Sequence, residues 1–151
     1  MATEKKEMIG LIRKMAETTA AVEWYRLRNN ELRGALASIC LPSAQAEKTG
    51  GGRQGGHGDP VGMTAIRREE MEEEIRRNMA RIEERLAHHA RLSALMGEAL
   101  DQDERAILWA RYAERLEWER IARRVKMSRS SCFRAEAAGL RKLCAAWDEG
   151  A

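Results

Sequence analysis

Met8, Met15, Val22, Asn29 and Leu36 stand seven residues apart, and Leu11, Thr18, Tyr25, Leu32 and Ile39 form a second set interleaved with them. Two sets offset by three or four within a repeat of seven give the period of an α-helix covered along one face. A β-strand cannot satisfy this spacing, because its side chains change face at every residue. The spacing predicts one long helix over residues 3–40 with a continuous packing seam. Asn29 is the polar exception. An amide in such a seam either sets register or oligomer state or faces solvent where the pattern frays.

A second long helix is expected over residues 63–100. Ile75, Met79, Ile82, Leu86, His89, Met96 and Leu100 alternate by three and four, and Thr64 reads as the N-cap. Glu72–Arg76 and Glu73–Arg77 have the spacing of surface ion pairs. His88 and His89 are adjacent, so they point about 100° apart on a helix and cannot chelate together. Between the helices, residues 41–62 hold both prolines and seven of the twelve glycines. Such a stretch offers too little apolar surface to offset the entropy of ordering it and reads as a flexible Gly-rich linker. It lacks the Gly-Lys-Ser/Thr ending of a P-loop. Each long helix needs a partner for its stripe, and the pattern does not decide between pairing within one chain and pairing between chains.

Residues 101–151 change character. Asp101 followed by Glu104 is a capping-box signal. A helix then runs through Ile107, Leu108, Arg111 and Tyr112. A short helix places Trp118, Ile121, Ala122 and Val125 on one face. Lys126 and Met127 make a turn, and Ser128 caps a last helix. That helix turns Cys132, Ala135, Gly139, Leu140 and Leu143 inward and Arg129, Ser130, Arg134, Ala138 and Arg141 outward. Residues 120–142 hold eight Lys or Arg against one acid, Glu136, although the whole chain is only +3. A short helix, a turn and a capped longer helix opening on Arg and Ser form the helix-turn-helix arrangement, whose second helix enters the major groove by its N-terminal end. Base contacts are expected from Arg129, Ser130, Ser131, Phe133 and Arg134. Phosphate contacts are expected from Arg120, Arg123, Arg124, Lys126, Ser128 and Arg141.

The same stretch, "LDQDERAILWARYAERLEWERIARRVKMSRSSCFRAEAAGLRKL", resembles region 4 of sigma-70-type RNA polymerase sigma factors. The match lies in Leu100, Glu104, Leu108, Tyr112, Trp118, Ile121-Ala122, Ser128, Arg134 and residues 140–143. The layout of the whole chain is similar to phage regulators of late transcription of the ArpU and RinA type. That resemblance implies control of late or packaging genes. The helix-turn-helix arrangement makes double-stranded DNA the expected partner, and an activator would also need to touch host RNA polymerase, for which no residue set identifies a surface. The chain departs from the family at four places. Arg115 stands where Gly is usual, Glu117 where Ser or Thr caps, Lys126 in place of the turn Gly, and Gly139 in place of Ala. Each departure costs roughly 0.5–1 kcal/mol if the backbone is unchanged.

The expectation is an all-α protein with two long coiled-coil-like helices and a C-terminal sigma-70 region 4-like helix-turn-helix domain. It would act as a sequence-specific phage or prophage transcription regulator and associate as a dimer or higher homo-oligomer. A small terminase subunit and a helical adaptor that does not bind DNA are the alternatives. Removing residues 1–62 is expected to leave a folded core. Nothing points to an enzyme, a catalytic set, a metal site or a cofactor, since HExxH, P-loop and paired cysteine ligands are absent from the sequence. Three unpaired cysteines and the lack of a signal-like or membrane-spanning apolar run suggest a chain of the bacterial cytoplasm, with no membrane partner.

Overall fold

The computed structural model describes residues 2–40 and 60–150. Among the described residues the structure is helical, with no strand. The helices are α1 (Lys5–Ala16), α2 (Thr18–Cys40), α3 (Pro60–Ala99), α4 (Gln102–Leu108), α5 (Trp118–Val125) and α6 (Arg129–Glu149), and a π-helical segment (Trp109–Ala113) continues α4. No helix among the described residues is long and apolar enough to cross a membrane. The proposed linker, up to residue 59, lies outside the described residues.

Packing divides the chain into one unit of Met1–Ala21 with Glu84–Ala151 and a second of Val22–Glu83. This differs from boundaries at residues 40, 62 and 100. The reason lies in α1. Met8, Ile12 and Met15 are buried in one cluster with Leu92, Met96 and Leu100 of the α3 end, with Leu108 and Tyr112, and with Leu140 and Leu143 of α6. The first turns of the chain therefore complete the core of the C-terminal helices. The folded remainder expected after removal of residues 1–62 would have this cluster laid open. Thr3 fastens the start of α1 to the end of α6, its amide and hydroxyl both donating to Asp148 at 3.0 and 2.5 Å. These bonds hold the Asp148 carboxyl below its ordinary range.

The single helix expected over residues 3–40 is interrupted at Glu17. Thr18 Oγ1 donates back to the Lys14 carbonyl at 3.0 Å, and Arg85 Nη1 donates to the same oxygen at 3.3 Å. Back-bonding of this kind competes with the helical ladder and bends it. The seam nevertheless survives the break. Met8, Met15, Thr18, Val22, Asn29 and Leu32 are buried, and Leu11, Tyr25, Leu36 and Ile39 are half-buried.

The start of α3 falls at Pro60, one turn before the expected cap at Thr64. Proline suits the first helical position, where its missing N–H would have no intrahelical acceptor and its φ is already helical. The end of α3 is closed by Arg105, whose Nη1 donates to the carbonyls of Gly97 and Leu100 at 3.1 and 2.8 Å. The stripe of α3 also lies slightly off the expected line: Asn78, Leu92, Met96 and Leu100 are buried, whereas Met79 and Leu86 are exposed. On its surface Arg76 pairs with Glu73 at 2.6 Å rather than with Glu72, which pairs with Arg68. The expected Glu73–Arg77 pair is present at 4.0 Å.

In the second unit, α2 and the first part of α3 lie antiparallel within one chain. Asn29 faces α3 and is 1% exposed; Asn78, at 2%, is its partner. Asn78 Nδ2 donates to Asn29 Oδ1 at 2.9 Å, and Asn29 Nδ2 reaches the Ile75 carbonyl at 3.5 Å. Asn29 therefore does not face solvent. Arg28 lies beside it in a forked pair with Glu74, at 2.8 and 3.1 Å. Such a buried amide pair fixes register, because a slip of one residue would leave both amides unsatisfied.

Two outcomes follow for stability, both read by urea unfolding of the full chain. Ile12→Ala should cost about 2–4 kcal/mol, against no more than about 0.5 kcal/mol for exposed Leu27→Ala. Similar losses would mean that α1 is not part of the core. Asn29→Leu and Asn78→Leu should each cost about 1–3 kcal/mol alone, and the double substitution should recover most of that loss. Additive losses would mean that the two amides are not coupled.

Candidate nucleic-acid interface

The capping box at the head of α4 is complete. Asp101 Oδ1 accepts from the Glu104 amide at 2.8 Å, and Glu104 Oε1 accepts from the Asp101 amide at 3.0 Å. Glu104 is buried and also receives Lys142 Nζ at 2.8 Å, which ties the box to α6. After Leu108 the backbone widens into the π-helical segment. The wider turn sends Trp109 outward and Tyr112 inward, where its hydroxyl donates to Glu136 at 2.5 Å. Burial, and then this bond to a carboxylate, hold the Tyr112 hydroxyl well above its ordinary range. Glu136 is the one acid of the basic stretch, and its carboxylate is turned toward Tyr112 rather than left among the outer cations.

Helix α5 starts after Arg115, whose φ is 60°, and ends at Lys126, whose φ is 58°. Both lie in the left-handed region, where glycine is free of strain and other residues pay about 1–2 kcal/mol. They are the two positions at which Gly was expected. Glu117 occupies the N-cap of α5 without a side-chain cap bond, so that departure leaves the amides of the first turn without the usual acceptor. The departure at Gly139 has the opposite meaning. A Cβ there would lie 3.0 Å from Leu108 Cδ1 and 3.4 Å from Glu104 Cβ. Glycine lets α6 approach α4 at that point.

Helix α6 opens at Ser128, whose Oγ accepts from the Ser131 amide at 3.1 Å. Its hydroxyl lies 2.9 Å from Ser131 Oγ. Both hydroxyls are thus engaged in the cap, although each was expected to touch DNA. The expected base-contact residues Arg129, Ser130, Phe133 and Arg134 are exposed, and Ser131 is half-buried. Phe133 is not free: its ring meets Trp118 edge-to-face at 4.8 Å, and Arg129 lies 5.9 Å from its centre. Beneath them Cys132 is fully buried with Ile107, Ala110 and Ile121. Burial holds its thiol above the ordinary range, so it packs as a small apolar group.

The expected phosphate contacts divide. Arg120, Arg123, Lys126 and Arg141 are exposed and form no ion pair among the described residues. Arg124 is engaged by Glu114 at 2.6 Å. With Arg129 and Arg134, six cations remain unpaired on α5, the turn and α6. Reading the sequence missed two features, the edge-to-face prop under Phe133 and the role of Lys142 as a tie to Glu104. Aromatic and charge spacing give neither, since both depend on helices that meet only in the fold. His88, rather than His89 on the expected seam, makes the notable contacts. Its Nε2 lies 3.0 Å from the Leu11 carbonyl and its ring meets Trp147 edge-to-face. Burial holds it below the ordinary histidine range, so the ring is neutral at pH 7 and Nε2–H donates.

No protein-family model, curated protein or solved structure matches the chain.

The close approach at Gly139 makes a sharp test. Gly10→Ala, where nothing lies within 4 Å, should stabilise the chain by about 0.5–1 kcal/mol through helix propensity. Gly139→Ala should destabilise it by about 1–2 kcal/mol, because the new methyl group would press on the side chain of fully buried Leu108 at 3.0 Å. Equal gains in thermal unfolding would refute the close approach.

Proposed function

We propose that the chain is a sequence-specific DNA-binding transcription regulator of phage or prophage origin, acting on late or packaging genes. On this reading α5, the turn at Lys126 and α6 are a sigma-70 region 4-like helix-turn-helix. The first turns of α6 lie in the major groove, and the α2–α3 hairpin contributes to assembly of two or more copies. The observation that carries the reading is the concentration of Arg120, Arg123, Lys126, Arg129 and Arg134 near the Ser128-capped start of one helix, with Arg141 further along it, all exposed and without ion pairs among the described residues. Arginine can donate two hydrogen bonds to guanine O6 and N7, and cations on the preceding helix fall where the strand backbone passes. The resemblance of residues 100–143 to sigma region 4 supports the same assignment, and the layout supports the phage setting. Contact with host RNA polymerase belongs to the same proposal.

The engaged hydroxyl of Ser131 narrows the base-contacting set to Arg129, Ser130 and Arg134, with exposed Phe133 offered to a thymine methyl, and that of Ser128 takes it out of the phosphate set. Selection of bound duplexes from a random pool, with the native mass measured on the same sample, tests the reading. One enriched motif and a small oligomer are expected. A ring of eight or more subunits would favour the small terminase subunit, and no duplex binding in dilute buffer would favour the adaptor.

On the selected duplex, Arg134→Ala should weaken binding by about 1–3 kcal/mol and relax preference at one base pair. Arg123→Ala should weaken all sequences alike and lower the slope of log affinity against log salt by about 1. An equal loss on random DNA would reduce Arg134 to a phosphate contact, and an unchanged slope would remove Arg123 from that set.

A further inference from the structure

Arg13, Arg111 and Arg115 line one open cavity of about 310 Å³. They come from α1, from the π-helical segment and from the link into α5, and all lie in the unit of Met1–Ala21 with Glu84–Ala151. Guanidinium groups do not lose their protons in proteins, so three permanent positive charges face one space. Their neighbours account for them only in part. The Arg13 guanidinium lies 5.7 Å from the centre of the Tyr112 ring. Arg111 donates to the Leu116 carbonyl at 3.0 Å and lies 5.0 Å from the Trp118 ring centre. Arg115 meets Glu17 at 3.1 Å, but the two side chains are 67% and 58% exposed, and such a pair contributes little. Among the described residues no other carboxylate pairs with any of the three.

The backbone supplies an independent observation. Arg115 holds its left-handed φ of 60° at a position that glycine would occupy without strain. A strained residue with a long charged side chain, lining a space shared with two like charges, is kept there against a conformational cost. An anion bound by the three guanidinium groups gives that position a use.

We propose that Arg13, Arg111 and Arg115 form a phosphate-oxyanion site, and that its occupant is a backbone phosphate of DNA flanking the stretch contacted by α6. The chemistry is that of planar forked donors matched to phosphate oxygens. The location follows from ring contacts: Arg111 stacks on Trp118, Trp118 meets Phe133, and Phe133 meets Arg129 at the start of α6, each step under 6 Å. The phosphate displaces Glu17 from Arg115. The assignment of the occupant to DNA rests on the DNA-binding reading above; the oxyanion site does not.

The test uses the full chain as wild type, Arg13→Gln and Arg115→Gly, with Arg134→Ala as the comparison. Thermal unfolding is followed in sodium phosphate and in sodium chloride at equal ionic strength, and duplex binding is measured across a salt series. Phosphate should raise the wild-type Tm above its value in chloride. That increment should vanish in Arg13→Gln and Arg115→Gly and persist in Arg134→Ala. Arg115→Gly should start from a Tm about 2–4 °C above wild type, since strain is removed, yet bind duplex roughly three- to tenfold more weakly, and each variant should lower the salt slope by about 1 on every sequence. If the phosphate increment is lost in the variants while duplex affinity and slope stay unchanged, the site takes a free phosphate compound and the DNA assignment is wrong. Identical phosphate and chloride curves in wild type, together with unchanged slopes, would remove the site. If wild type binds no duplex, the regulator reading fails by itself, and the phosphate increment still decides the site.

Discussion

The insertion of α1 among the C-terminal helices is the contact on which the first unit depends. Helices α4, α5 and α6 present two apolar surfaces, one closed among themselves around Ile107, Ile121 and Cys132, the other requiring Met8, Ile12 and Met15. Three buried side chains of that size contribute about 1.5–3 kcal/mol each, which is comparable to the whole net stability of a domain this small. Deleting α1 would expose Leu92, Leu140 and Leu143 together. The ends of the sequence meet for the same reason: Thr3 and Asp148 are joined because α1 and α6 flank one core. A segment that looks like a free arm in the sequence is thus part of the body that presents the basic face.

Much of this was legible in the residues, and what was legible depended on local rules. The period of seven in the first forty residues identified the covered face correctly even where the helix breaks, because the break at Glu17 preserves the phase of the stripe. The capping box at Asp101 and the cap at Ser128 were readable because each is satisfied within four residues. The inward stripe of α6 was readable from spacing alone. Long-range choices were not. The partner of Asn29 is an amide some fifty residues away, and no spacing rule gives it. The burial of α1 against α6 was missed because its seam has the same form whether it packs on a neighbouring helix, on a second copy or on a distant domain. The helix start at Pro60 was missed because proline marks both a linker and a first helical turn.

Three of the four departures noted in the sequence, at Arg115, Lys126 and Gly139, are of two physical kinds. Gly139 in place of Ala is a packing requirement, since it is the point where α6 comes nearest to Leu108 and Glu104. Arg115 and Lys126 in place of Gly are the reverse: they carry strain that glycine would relieve and bring no core contact in exchange. Both are cations, and they bracket α5 on its two sides. Local consistency is usually relaxed where function demands it. Two strained positions that both add positive charge beside one short helix therefore support an anionic partner more strongly than either would alone.

Net charge conveys little of this. The whole chain is +3, and a surface with that charge evenly spread would have no preferred side. The fold sorts the charges instead. Within residues 120–142, Lys142 is tied to buried Glu104 and Arg124 to Glu114, while the one acid, Glu136, is turned toward Tyr112. What remains outward is uniformly basic. The tie to Tyr112 draws the one acid of this stretch aside, whereas the ties of Lys142 and Arg124 neutralise those two cations, so the positive field of the stretch comes from the six that remain unpaired. Interactions between exposed charges fall away beyond about 10 Å at 0.1 M salt. A partner must therefore come within contact range of these cations to gain from them.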